Sequence, residues 1–303
     1  MTGRFSKTVP SLRGFVKLYA TDWIVTSGLS LLFYYIGHHI TGFKRHFSLT
    51  DTSHAVEQRV GTHALYFVSA IVPIVAQIIV NLLTLRSWVD FHHSTLGLLL
   101  SLTMTGSITQ IVKVTVGRPR PDVISRCIPI PGSADPEHGL STVDICTQTV
   151  AGILEDGWRS FPSGHSSMAF AGLGFLTFYL CGKLHIFDTR GHASKVWLAV
   201  APLSAASLVA ISRTMDYRHH WHDVVAGSLL GLVLAHFAYR QYYPSLAHIE
   251  AHVPYMTRFE ESYGYDNDPA IPICRDAEED ADSGPRGENI GLIGGSQKQN
   301  WRL

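Results

Sequence analysis

Long apolar runs separated by shorter polar breaks dominate the chain, at residues 23–40, 64–85, 91–112, 166–187, 196–211 and 222–243. A helix crosses a hydrocarbon core about 30 Å thick with roughly 20 residues, and the six runs approach that length. The pattern predicts an all-α integral membrane fold, with six transmembrane helices forming a bundle. Pro73 and Pro202 lie inside the second and fifth runs, where neighbouring helices absorb a kink, and Pro244 closes the sixth. The break at residues 113–160 differs in kind. It holds Pro119, Pro121, Pro129, Pro131 and Pro136 together with Asp135, Glu137, Asp144, Glu155 and Asp156, so it stays out of hydrocarbon, exposed or folded over a membrane face.

This pattern divides the chain into an N-terminal segment (1–21), a six-span domain (22–243) and a polar tail (244–303). The tail contains Asp276-Ala277-Glu278-Glu279-Asp280-Ala281-Asp282 and then a Gly-, Ser- and Asn-rich stretch. Such composition cannot bury a core, so disorder is expected there. The 303 residues are 46% hydrophobic and 16% charged, with formal net charge +0 and pI near 7.3, which speaks against a nucleic-acid partner drawn by a basic field. Arg4, Lys7, Arg13 and Lys17 precede the first acid, Asp22, and the first run reads as an uncleaved signal anchor. Lys183, Arg190 and Lys195 add positive charge to a loop on the same side. The positive-inside rule then places both termini in the cytosol, and segments 41–63, 113–165 and 212–222 on the lumenal or extracellular face. The expected location is an endomembrane (vacuole, Golgi or ER) or the plasma membrane.

That shared face carries the chemistry. Lys113 is followed after six residues by Arg120-Pro121, next comes Pro162-Ser163-Gly164-His165, and last Ser212-Arg213, five residues, His219, three residues and Asp223. Three cations, two histidines and a carboxylate suit phosphoryl transfer through a histidine, with no metal. If the sixth helix starts at His219, Asp223 lies one turn on and can accept the Nδ1 proton, leaving Nε2 as nucleophile. His220 and His222 crowd the same stretch, and such a cluster could instead bind metal or sit at the interface. Backbone N–H groups of Ser163 and Gly164 before an apolar helix can hold an anion, though Pro-Ser-Gly is also an ordinary turn. Lys113 alone reads equally as a snorkelling residue, and Arg118-Pro119 offers a competing register for Arg120. Asp266-Asn267-Asp268 lacks the glycine and distant glutamate of a calcium loop. No metal or other cofactor is expected.

Taken together and in this order, Lys-x6-Arg-Pro, Pro-Ser-Gly-His and Ser-Arg-x5-His-x3-Asp resemble the three signatures of the type 2 phosphatidic acid phosphatase superfamily, over about residues 20–243. The chain is similar to its six-span lipid phosphate phosphatases, and the tail resembles fungal diacylglycerol pyrophosphate phosphatases. The resemblance implies metal-free hydrolysis of phosphatidic acid, lysophosphatidic acid or diacylglycerol pyrophosphate, with a lipid phosphate and the bilayer as partners. It implies that His219 attacks phosphorus, that Asp223 orients it, and that His165 protonates the departing alkoxide and then activates water. Lys113, Arg120, Ser163, Gly164 and Arg213 would bind phosphate. Sugar-phosphate phosphatases and lipid phosphotransferases of the superfamily use the same residues. An inactive membrane scaffold is the reading from another class, and the intact motif positions argue against it.

Two further expectations concern pairing. Gly227-x3-Gly231 is a helix-contact pattern that fits packing inside one bundle better than the seam of a homodimer. Of four cysteines, Cys181 falls in the fourth run and Cys274 in the tail, so Cys127 and Cys146 share the oxidising side and are the disulfide candidates.

Overall fold

The computed structural model describes residues 12–50, 57–187 and 193–255. Among them the chain is helical, with two isolated bridges, Phe47 to Ser141 and Pro129 to Cys146, and no strand. Helix α1 (Leu12–His39) is followed by a continuous rod, Thr62–Leu83, made of α2 (Thr62–Tyr66), a π-helical turn (Phe67–Ile71) and α3 (Val72–Leu83). Next come α4 (Trp88–Val116), the short α5 (Val123–Cys127) and α6 (Ala151–Asp156), then α7 (Gly164–Lys183), α8 (Ala193–Met215) and α9 (Trp221–Tyr242).

The six-span expectation is met in part. Among the described residues four helices are long and apolar enough to cross a membrane: Thr62–Leu83, Trp88–Val116, Ala193–Met215 and Trp221–Tyr242. Helix α7 is long but different in composition because its surroundings differ. It packs against α4, α8, α9 and the π-turn, so nearly all of its surface meets protein and carries Ser166, Ser167, Gly172, Gly174 and Thr177 rather than a lipid-facing apolar coat. Helix α1 packs along α4 and is diluted by Lys17, Asp22, His38 and His39.

Small residues set how closely α7 is approached. Pro73 has no N–H for the carbonyl four residues earlier, that of Ser69, and the π-turn forms there. Ser69 then meets α7 at Gly172, where an added Cβ would collide with the Ser69 carbonyl. On the other side, Gly227 and Gly231 of α9 face the Ser163 and Ser167 carbonyls of α7, and a Cβ at Gly227 would lie 2.6 Å from the Ser163 oxygen. The Gly-x3-Gly pattern is thus occupied inside the bundle.

Both ends of the bundle are tied by polar groups. At one end Asp90 and Lys183 are fully buried and 2.6 Å apart; Asn81, Tyr179 and Tyr243 also donate to the Asp90 carboxylate, and Lys183 Nζ donates to the His252 carbonyl. Residues 244–255, which begin the expected tail, are therefore packed on the bundle, with Ala251 buried; residues 256–303 lie outside the described part. At the other end the segment between α4 and α7 folds into a cap with its own small core of Phe47, Val123, Cys127 and Trp158. Cys127 and Cys146 are disulfide-bonded there, Cα atoms 4.7 Å apart. Asp135 accepts from Ser48, Ser141 and the Leu49 N–H, and Trp158 Nε1 donates to the Arg45 carbonyl, so residues 45–49 are stitched into the same cap.

Candidate active site

The three sequence motifs meet at the cap end, where α4 and α8 finish and α7 and α9 begin. Helix α9 starts at Trp221, two residues past His219, so His219 and Asp223 are not stacked one turn apart on a helix. Asp223 instead accepts from the His220 N–H at 3.1 Å, from Arg118 Nη1 at 2.8 Å and from the Ser160 hydroxyl. Its carboxylate stays 3.9 Å from His219 Nδ1, beyond hydrogen-bonding distance. Nδ1 lies 2.8 Å from the Ser160 carbonyl. A carbonyl can only accept, so Nδ1 carries the proton and Nε2 keeps the lone pair. The expected tautomer stands; the expected direct partner, Asp223, is replaced by a backbone carbonyl, because the late start of α9 turns the carboxylate toward its own helix end.

Burial, reinforced by Arg120 and Lys113, pushes the His219 pKa well below the ordinary 6.5, so the ring is neutral. His165 is the second residue of α7. Its Nε2 is buried with no partner, and the Val60 backbone lies close to the ring. The charges acting on His165 are Arg213, Lys113 and Arg120.

Each cation is set by its helix end or by a carboxylate. Helix α4 ends at Gly117, whose φ of +55° suits glycine and whose contact with Phe43 leaves no room for a Cβ; the chain turns there toward Arg118 and Arg120. Lys113 Nζ lies 3.3 Å from where a Cβ of Gly164 would sit. Arg120 Nη2 donates to Asp156 at 2.7 Å, while its Nε is buried without a partner. Arg213, 1% exposed, bonds the Ser212 hydroxyl and, at 2.9 Å, Asp216. One expectation needs correction: the Ser163 N–H donates to the Asp223 carbonyl at 2.9 Å and is not available to an anion. The N–H groups of Gly164 and His165, in the first turn of α7, have no acceptor within the helix.

Four residues outside the motif positions shape this site: Ser160, Arg118, Asp156 and Asp216. Asp216 accepts from Arg213 and from the Arg59 N–H at 3.0 Å, which ties the loop carrying Val60 to the end of α8. Only Arg118 left a trace in the sequence, as the competing register beside Arg120. Among the described residues, no group of three or more His, Cys, Asp or Glu side chains gathers to hold a metal ion.

A family model described as the PAP2 superfamily matches residues 94–246, which contain all three motifs. The chain belongs to the PAP2 superfamily. It is 38% identical to the probable diacylglycerol pyrophosphate phosphatase 1 of Schizosaccharomyces pombe over 83% of this chain and 92% of that protein. It is 40% identical to diacylglycerol pyrophosphate phosphatase 1 of Saccharomyces cerevisiae over 67% of this chain and 73% of that protein. Lipid phosphate phosphatase 2 of Arabidopsis thaliana is 47% identical over 51% of this chain. The match spans about half the length of that plant relative, 52%. No solved structure matches the chain. The PAP2 match begins inside α4 and runs just beyond α9, so α1 and the rod Thr62–Leu83 lie ahead of it.

Proposed function

We propose that this PAP2 protein is a membrane phosphatase that removes phosphate from lipid phosphates, namely phosphatidic acid, lysophosphatidic acid and diacylglycerol pyrophosphate. The observation that carries this is the neutral His219, its Nδ1 proton on the Ser160 carbonyl, set among Arg120, Lys113 and His165. His219 Nε2 attacks phosphorus. The P–O bond to the leaving group, an alkoxide for the monoesters and phosphatidate for diacylglycerol pyrophosphate, breaks as His165, protonated once the phosphate is bound, delivers its Nε2 proton to the departing oxygen. Neutral His165 then takes a proton from water, whose oxygen attacks phosphohistidine and frees His219 and phosphate. Lys113, Arg120 and Arg213, with the N–H groups at the start of α7, balance the charge that builds on the equatorial oxygens. No step calls on a metal.

The lipid substrate class is supported by the named relatives and by the position of the site at the ends of apolar helices. In this reading all six long helices cross the bilayer, both termini face the cytosol, and the cap and site face the lumen or exterior of an endomembrane or the plasma membrane. The test is phosphate release by the purified protein in mixed micelles containing EDTA, with the three lipid phosphates offered beside soluble sugar phosphates. Release from the lipids is expected. Turnover of soluble phosphates alone would overturn the substrate class, and loss in EDTA with recovery on added magnesium would overturn the metal-free mechanism.

A further inference from the structure

Ser160 lies just outside the Pro-Ser-Gly-His motif and touches everything that holds the nucleophile. It is fully buried. Its carbonyl accepts the Nδ1 proton of His219 at 2.8 Å, its hydroxyl donates to Asp223, and its N–H donates to the Arg118 carbonyl at 3.1 Å. Arg118 closes the ring by donating to the other oxygen of Asp223 at 2.8 Å. The carboxylate itself does not reach His219. We infer that Ser160 is the positioning residue of the nucleophile, and that Asp223 acts on His219 through Ser160 rather than by direct contact.

The physical case rests on donor and acceptor counting. A free serine peptide could rotate its carbonyl away from the imidazole, and the Nδ1 proton could then move to Nε2, which would silence the lone pair that attacks. Anchoring the hydroxyl on a buried carboxylate and the N–H on Arg118 removes that freedom. Arg118 offsets the charge of Asp223, so the carboxylate can stay ionised beside a neutral histidine. Ser160 touches no cation assigned to phosphate, so its loss acts on the rate of attack and not on substrate affinity.

This inference rests on the assignment of His219 as nucleophile, and the experiment separates the two. The probe is a short-chain phosphatidic acid with a rapid quench, acid-labile phosphohistidine being measured and mapped in wild type, Ser160→Ala, Ser160→Thr, Asp223→Asn and the double variant Ser160→Ala/Asp223→Asn. The expected result for Ser160→Ala is slower phosphohistidine formation by about 10- to 100-fold, the scale of a misplaced reacting group, with KM little changed. Ser160→Thr, which keeps the hydroxyl, should recover most of the rate. The Asp223→Asn cost should shrink when added to Ser160→Ala, because the two changes break one connection. Label on His219 with a Ser160→Ala rate equal to wild type would overturn the role of Ser160. A full, additive Asp223→Asn cost in the Ser160→Ala background would restore direct action by Asp223. A KM increase with unchanged rate of attack would also overturn it. Label on another residue would overturn the nucleophile assignment itself. Thermal unfolding in detergent accompanies each variant; a Ser160→Ala protein that melts with wild type yet attacks slowly excludes a purely structural loss, and if it does not fold, Ser160→Thr against Asp223→Asn carries the comparison.

Discussion

The ionisation of His219 sets a pH dependence that is readable from its surroundings. Its folded pKa lies well below the unfolded value of 6.5, chiefly through burial and then through Arg120 and Lys113. Below pH 6.5 the unfolded chain therefore takes up a proton at this position that the folded chain refuses, and stability falls as the pH drops through that window. The prediction is that acidification from neutral pH lowers the melting temperature of wild type more steeply than that of His219→Gln, which has no such group. Parallel curves would contradict a neutral, buried His219. At this scale much of the site was visible in the sequence: Lys113, Arg120, His165, Arg213, His219 and Asp223 converge at one end of the bundle. Ser160, Asp156 and Asp216 were not visible. Their partners are 63, 36 and 157 residues away in the chain for the bonds to Asp223, Arg120 and Arg59, and contacts of that separation leave no periodic mark. The direct His219–Asp223 pair failed for a local reason, since a spacing of four implies a shared helical face only if the helix has already begun.

Helices were legible where punctuation was clear. Pro244 and the small residues before α7 marked ends correctly, whereas α4 reaches farther at both ends than its apolar run, from Ser87 before it to Gly117 after it. Helix α7 falls outside the four candidate spans although residues 166–187 read as an apolar run, because a helix enclosed by helices has no need of an apolar coat. The contact of α9 with α7 is the element on which the two histidines depend, because Ser163, His165 and Asp223 all sit at its cap end. Replacing Gly227 by Ala pushes a methyl group toward the Ser163 carbonyl, 2.6 Å away, and overpacking of this kind costs about 1–3 kcal/mol. The expected outcome is a lower melting temperature and lower phosphate release. Gly28→Ala, where the added Cβ meets nothing within 4 Å, should leave both unchanged.

For the whole molecule, the two ends of the bundle are secured by different means. At the end away from the site, Lys183→Met would strand the buried Asp90 carboxylate, and breaking such a pair from one side costs roughly 3–5 kcal/mol. A large drop in melting temperature is expected, measured in detergent at fixed protein and lipid content, with Asp90→Asn also destabilising, because the amide keeps one acceptor oxygen where Tyr179 and Tyr243 donate to different oxygens of the carboxylate. At the cap end, Cys127 and Cys146 should resist a membrane-impermeant maleimide on the outer face until a reductant is added; labelling without reductant would contradict the bond, and labelling only after permeabilisation would reverse the proposed orientation. The cap itself escaped the sequence pattern, since its core of Phe47, Val123, Cys127 and Trp158 is assembled from pieces with no shared periodicity.

The π-turn at Phe67–Ile71 works as a phase adjuster. Each residue advances a helix by about 100°, so one extra residue in a turn rotates everything on its far side by nearly a third of a revolution without lengthening the rod appreciably. Below it, Pro73, Gln77 and Asn81 face the interior; above it, Leu65 does, and the chain reaches Arg59, whose N–H donates to Asp216, the carboxylate that holds Arg213. Deleting a single residue from the turn would keep every side chain in the motifs and still swing the Arg59 N–H off Asp216. The rod therefore has a fixed index, like a key cut for one lock position, and the residue count between Arg59 and Pro73 is as much a part of the site as the arginine it helps to hold.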